Sequence, residues 1–294
     1  MTYRVLKDQA AGKVMAFLTF TSLLVVIAMG IGLYMKSVPI LHEHSIWDLL
    51  TTSEWKPMRN QFGFFPFLAG TFWVTILAVA IALPTSLLTA IFLTEYSRSV
   101  VKKYIYPLLD ILAGLPSVIY GVWGTLVIVP WISNAVAPHF VKDSSGYTVL
   151  AGGIVLSVMI LPLLVNLFVE LFSNVPAEDR EASLALGATS WQTTQYVVLR
   201  KTLPGMVAAT VLAISRTMGE TIAVLMVCGN LAIVPNSLLD ACYPIPALIA
   251  NNYGEMLSLP LYESALMFAA FLLFLVVLLF NLFSRVVLKK VNSD

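Results

Sequence analysis

Apolar residues in this chain do not recur every three or four positions; they run on without interruption. Six stretches, at about 14–35, 68–94, 104–131, 147–172, 204–228 and 264–284, are apolar almost throughout. Each is long enough to cross roughly 30 Å of hydrocarbon at about 1.5 Å per helical residue. A soluble helix would instead carry one apolar stripe and an opposite polar face. The pattern therefore predicts an all-α polytopic membrane protein with six transmembrane helices. No internal repeat stands out and no linker divides the chain, so residues 1–294 are read as a single domain. Composition agrees: of 294 residues 59% are hydrophobic and 11% charged, too few polar groups to cover a water-soluble globule.

The polar stretches between the spans carry the topology. Basic residues cluster in the N-terminal tail (Arg4, Lys7, Lys13), after the second span (Arg98, Lys102, Lys103), between the fourth and fifth (Arg180, Arg200, Lys201) and in the C-terminal tail (Arg285, Lys289, Lys290). The opposite connections hold only Lys36, Lys56, Arg59 and Lys142, and 229–263 has none. Twelve against four places both termini in the cytoplasm. The first segment is longer than a signal-peptide core and no small-residue cleavage site follows it, so it is expected to be retained. Outside, 36–67 should hold a short helix around "SIWDLLTTSEW", and 229–263, with Pro235, Pro244, Pro246 and Pro260, a partly folded cap.

One basic residue remains. In "VLAISRTMGETIAVLMVCGN" (211–230), Arg216 sits about 18 Å from the inner end of its span, near mid-membrane. A central arginine costs at least about 2.5–3.5 kcal/mol, so it should face a cavity or a partner. Glu220 follows four residues later, a spacing that sets two side chains on the same face of one continuous helix. An intrahelical ion pair that makes insertion tolerable and a functional guanidinium that meets an oxyanion both fit this spacing. Thr217 and Thr221 add hydroxyls nearby. In the third span Gly114, Pro116 and Gly121 interrupt the helix around Ser117 and Tyr120, and broken helices often line transport pathways. Asp110 lies near the inner end of that span, where a vestibule carboxylate and a simply hydrated one are both consistent.

The stretch "VPAEDREASLALGATSWQTTQYVVLRKTLPG" (175–205) is too long for a turn. Pro176 can open a helix whose first turn holds Glu178 and Asp179, Gly187 ends it, and Thr189 or Ser190 can cap a second helix from about Trp191 to Arg200. Glu181, Ala182 and Ser183, then Gly187 and later "VVL", resemble the EAA loop of permease subunits of ATP-binding cassette importers. Ser183 stands where that motif has a second alanine, and Arg200 where it has proline. "FGFFPFLAGTFWVTILAVAIALPTSLLTAIFLTEY" (62–96), "LAGLPSVIYGVWG" (112–124) and "SRTMGETIAVLMVCGN" (215–230) are similar to the phosphate-specific branch of that family.

The resemblance implies a type I importer permease fold, with Glu181, Ala182 and Gly187 in a coupling helix that docks on an ATPase. It implies as partners a second permease subunit, an ATPase dimer and a periplasmic phosphate-binding protein in a prokaryotic inner membrane. Arg216, Glu220, Thr217, Thr221, Ser117 and Tyr120 would line the substrate pathway. ATP and Mg would belong to the partner ATPase and no cofactor to this chain, which has no phosphate-cradling G-x-x-x-x-G-K-[ST] loop. The rival readings are a permease for molybdate, tungstate or sulfate, and a proton-coupled secondary transporter using Glu220. Cys228 and Cys242 fall on the outer side, where a bridge is chemically allowed but not dictated. His42, His44 and His139 show no ligand spacing, and no Ser/His/Asp or Cys/His constellation is present.

Overall fold

A computed structural model describes residues 2–141, 144–254 and 260–291 of the protein; Lys142, counted above among the outer basic residues, lies outside them. Six helical runs have the length and hydropathy of membrane spans: Ala11–Glu43, Phe65–Tyr96, Ser117–His139, Val149–Ser173, Ser190–Met218 and Leu261–Phe283. Four of them fall close to the apolar segments of the sequence. The third and fifth are displaced, and both displacements have a local cause.

The first helix, α1 (Thr2–Glu43), leads through α2 (Ile46–Thr51) into a two-stranded ribbon. There β1 (Trp55–Lys56) pairs antiparallel with β2 (Gln61–Phe62). Trp55 meets Phe62, Phe64 and Phe67 edge-on at 5.6, 5.4 and 4.9 Å, which seats the ribbon on the start of α3 (Phe65–Ile91). On the ribbon, a hydrogen bond from Lys56 holds the Glu54 carboxyl below the usual carboxylate range.

The core is the pair formed by α3 and a later helix, α7 (Val149–Ser173), the most buried of the spans. Glycines on α7 let α3 approach closely: a Cβ on Gly153 would come within 2.5 Å of the Leu77 side chain, and one on Gly152 within 3.1 Å of Val74. Between these two helices the chain makes the third apolar segment, which is not the single span 104–131. Pro116 lacks an N–H and forces Leu115 into extended backbone (ψ 133°), so α4 (Ser99–Gly114) ends there. Val100, Tyr104, Leu108 and Ile111 form an exposed apolar stripe on α4, while Leu109 packs on the core. The membrane-length run begins at Ser117, with α5 (Ser117–Trp123), α6 (Val129–Trp131), two π-turns and a closing 3-10 turn (Ala137–His139) carrying it to 139.

After α7 comes α8 (Ala177–Ala185), and then a helix that starts well before Pro204, the residue at which the sequence pattern begins its fifth span. Its opening turn, α9 (Ser190–Thr193), continues through a π-turn at Thr194–Val198 into α10 (Leu199–Met218), with Pro204 inside it. At its far end the helix stops at Met218 instead of running to 228. Gly219 N–H and Glu220 N–H turn back to the carbonyls of Arg216 and Thr217 (both 3.2 Å), and a separate short helix, α11 (Ile222–Val227), follows. The cap holds α12 (Ile245–Asn252), and α13 (Pro260–Val291) closes the bundle against α1 and α10.

Arg180 ties α8 to the ends of two spans, beside an Asp179–Lys201 ion pair to α10. Arg180 donates to the carbonyls of Val175 and Phe172 (both 2.7 Å) and to the Glu95 carboxylate (3.0 Å), joining the ends of α3, α7 and α8. Because the pair is largely sheltered, truncating Arg180 strands the Glu95 carboxylate and takes a donor from the Val175 and Phe172 carbonyls, of which the second keeps Val175 N–H at 3.3 Å. Arg180→Ala is expected to destabilise the protein by about 2 kcal/mol, and Arg180→Lys to recover less than half of that, since an ammonium lacks the planar fork. Thermal-unfolding midpoints in detergent check this; an unchanged midpoint for the alanine variant contradicts it.

Candidate functional site

The two interrupted helices meet. Gly121 of α5 lies against α11 so closely that a Cβ would come 2.7 Å from Met226 Sδ and 3.3 Å from Ala223 Cα. Thr125 donates across the same contact to the Met226 carbonyl at 3.1 Å. Tyr120, buried at this junction, donates its hydroxyl to the Leu112 carbonyl at 2.6 Å and so spans the Pro116 break. Ser117 begins the same helix, and Arg216 stands in the last turn of the Ser190–Met218 run rather than near its middle, just before the chain breaks into α11. Arg216 itself is exposed.

Arg216 and Glu220 do not share a helical face, as their spacing had predicted. The helix ends between them, and among the described residues none of the ion pairs joins them. Glu220 instead accepts from Ala223 N–H at 3.4 Å, serving one of the donors freed at the start of α11. With Thr71, Thr75, Thr217 and Pro244 it lines a cavity of about 10 Å³, the space of about one water. Thr71 Oγ1 accepts from Ile245 N–H at 2.9 Å, tying this cavity to the cap. Thr217 donates to the Ala213 carbonyl (2.8 Å) and Thr221 to that of Gly219 (3.2 Å). The structure thus brings Tyr120 and Arg216 to one junction, and Thr217 and Glu220 to the neighbouring cavity.

Several polar residues inside the spans escaped the sequence reading. Asn281 of α13 donates to Ser215 Oγ at 3.1 Å, beside Arg216. Asn166 of α7 donates to Asp110 at 3.4 Å. A groove of about 330 Å³ between α7 and α10 is lined by Glu170, Asn174, Gly205, Ala208 and Leu212, and Leu212 stands one turn before Arg216. A signal was available: Asn166, Glu170 and Asn174 recur every fourth residue within an otherwise apolar run, which marks one face of a helix. Chemically, the junction offers an exposed guanidinium fork, hydroxyls and helix ends with freed backbone groups. A guanidinium fork suits an oxyanion, and the described residues contain no metal-ligand cluster.

The elbow between α7 and α10 has its own construction. Gly187 (φ +87°) turns the chain after α8, in the region glycine adopts most easily. Thr189 then closes a capping box with Gln192, which starts α9. Ser183 and Thr193 hydroxyls meet at 3.0 Å and hold the two arms together. Glu181, Ala182 and Gly187 are all exposed, and Leu186 between them is 90% exposed.

The exposed α8–α9 pair is thus joined directly to the helix that carries Arg216 and stops at Met218. Residues 82–293 match the family model of the binding-protein-dependent transport system inner membrane component. The chain belongs to that family. Its members are transport subunits, ATP-binding cassette importer permeases rather than enzymes. Among relatives, the chain is 34% identical over 256 residues to the phosphate transport system permease protein PstC of Xylella fastidiosa (strain Temecula1), covering 82% of this chain and 78% of the relative. It is 32% identical over 275 residues to a probable PstC of Methanocaldococcus jannaschii (87% and 86% covered). It is also 39% identical over 210 residues to the probable ABC transporter permease protein YqgH of Bacillus subtilis (71% and 66% covered). The fold matches a chain of the MetNI methionine ABC transporter in an inward-facing form, with a TM-score of 0.56 at 20% identity over 81% of this chain and 99% of that one. A chain of a bacterial alginate ABC transporter gives 0.54 at 16% identity, over 84% and 91%. The fold is that of type I importer permeases.

The cap role of Glu220 separates from its charge. Glu220→Gln keeps an acceptor for Ala223 N–H, whereas Glu220→Ala removes it and is expected to cost α11 about 1 kcal/mol. Amide exchange at Ala223 and Val224 should quicken in the alanine variant alone; equal quickening in both variants would show that charge, not capping, holds the turn.

Proposed function

We propose that this chain is one half of the translocation pathway of an ATP-driven importer for inorganic phosphate. The observation that carries the reading is Arg216: an exposed guanidinium within a membrane-length helix, at the junction of two interrupted helices, in a permease whose relatives are named phosphate transport system permease protein PstC. A planar fork of donors in a low-dielectric passage suits a tetrahedral oxyanion, and molybdate, tungstate or sulfate would fit the same fork. The names of the relatives favour phosphate. A proton-coupled carrier is disfavoured by the elbow, which such a carrier has no use for.

The partners follow: a second permease of the PstA kind, an ATPase dimer of the PstB kind that holds ATP and Mg, and a phosphate-binding protein of the PstS kind. Both termini and the α8–α9 elbow lie in the cytoplasm of a prokaryotic inner membrane, as the distribution of Lys and Arg favours. The exposed Leu186, Ala182 and Glu181 dock on the ATPase, with Leu186 the apolar anchor. Closure of the ATPase moves α8, the Arg180 clamp transmits the shift to the ends of α3 and α7, and α10 carries it to Arg216. Tyr120 keeps the facing break rigid, while Ser117, Thr217, Thr221 and Glu220 complete the polar wall.

Arg216→Gln in the assembled complex is expected to lower phosphate uptake at least about tenfold while ATPase recovery in pull-downs stays normal. Uptake at the unaltered rate would refute the assignment of that side chain. At the elbow, Gly187→Val puts a branched side chain at φ +87° and should reduce recovery of the ATPase with the permease; full recovery together with full uptake contradicts the docking.

A further inference from the structure

The outer end of the broken helix holds two cysteines that neither the transport path nor the elbow uses. Cys228 ends α11, and Gly229 (φ +86°) with Asn230 (φ 53°) turns the chain away from it. The chain returns at Cys242, whose N–H donates to the Cys228 carbonyl at 2.9 Å; its own carbonyl accepts from Asn230 N–H at 3.1 Å. Gly229 and Cys242 thereby form a parallel bridge. Both cysteines are fully buried. Two glycines make the space: a Cβ on Gly152 would lie 2.6 Å from Cys228 Sγ, and one on Gly70 would lie 3.2 Å from Cys242 Cβ.

We propose that Cys228 and Cys242 are joined by a disulfide that staples the cap to the end of α11. The proposal rests on the outward placement of the cap given under Proposed function. The reaction is thiol–disulfide exchange with a disulfide-bearing oxidant protein of the exported side. One cysteine thiolate attacks that disulfide, the second displaces the donor sulfur from the mixed disulfide, and the donor leaves as a dithiol with both electrons and both protons. Exchange precedes burial, since the folded pair is closed to any protein. Both thiols are free in the structure, but backbone hydrogen bonds already hold the two residues in register, and a bond between them constrains the unfolded chain.

The bond would fix more than a loop. Residues 229–241 supply two acceptors for the start of α7, with Val149 N–H donating to the Asp240 carbonyl at 2.9 Å and Leu150 N–H to that of Leu238 at 2.8 Å. The chain beyond Cys242 supplies Pro244 and Pro246 to the wall of the Glu220 cavity. A staple at Cys242 therefore holds the outer wall of the candidate site in place while α10 moves beneath it.

The full chain, isolated with its membrane from aerobically grown cells and denatured, is alkylated with a maleimide before and after reduction. Both thiols should resist until reduced; alkylation of both without reduction overturns the bridge. Orientation is tested separately, by labelling Ser237→Cys with an impermeant maleimide on intact cells in a Cys228→Ala, Cys242→Ala background. Free thiols beside a labelled cap refute the bridge alone, whereas an unlabelled cap overturns the orientation and the bridge with it. A second measurement reads the staple directly. Protease cleavage within 230–241 should quicken about tenfold in Cys228→Ala, in Cys242→Ala and in reduced wild type, with the double variant no faster than either single. Additive effects of the two alanines would mean packing rather than a covalent link, and would sink the proposal.

Discussion

Inside hydrocarbon a helix can stop only where something else serves the backbone groups it releases. Among the described residues helices stop at Pro116, just before the Ser117–His139 run, and at Gly219, just after the Ser190–Met218 run, and much of what surrounds the two breaks answers that requirement. The Tyr120 hydroxyl serves the Leu112 carbonyl, the Glu220 carboxylate serves an N–H of α11, and Thr125 reaches across to Met226. Because each break is satisfied partly by its own flanking side chains, the two can be pressed together through Gly121 without an outside ligand. The polar groups concentrated there divide in two: Tyr120 is buried where it holds backbone, and Arg216 is exposed.

The remainder of the bundle gives that junction something stiff to lean on. The α3–α7 pair is packed through Gly152 and Gly153 and stays close enough to leave only a water-sized void beside Glu220. α10 borders a groove on its α7 side at Ala208 and Leu212, yet is seated closely at Gly205, where a Cβ would come within 2.3 Å of the Leu171 side chain. The helix therefore leans on the rigid pair at one point and stands clear of it at the next.

How much of this the sequence discloses depends on what each residue does to its own backbone. Pro116 and Gly187 act locally, so the break and the elbow are legible from the residues themselves, as is the cap at Thr189. Arg216 is legible because charge in an apolar run is costly. The end of α10 is not: no proline marks it, and "TIAVLMV" continues the apolar run, so the eye carries the helix ten residues too far, to 228. Glu220 was misplaced for the same reason, since its spacing from Arg216 matters only if one helix holds both. The Arg180–Glu95 pair and the Ser215–Asn281 bond join positions 85 and 66 residues apart, and no local pattern can announce a partner at that distance.

The first helix has little of the bundle around it: none of its membrane-length window is buried. Its partner is α13, reached through Lys36 and Glu263 (3.0 Å), Tyr34 and Phe271 (5.7 Å) and the seat that Gly30 leaves for Phe274. The contact joins residues 227 positions apart in sequence. Until α13 arrives to cover one side of it, α1 must stand among acyl chains, which its largely apolar surface allows.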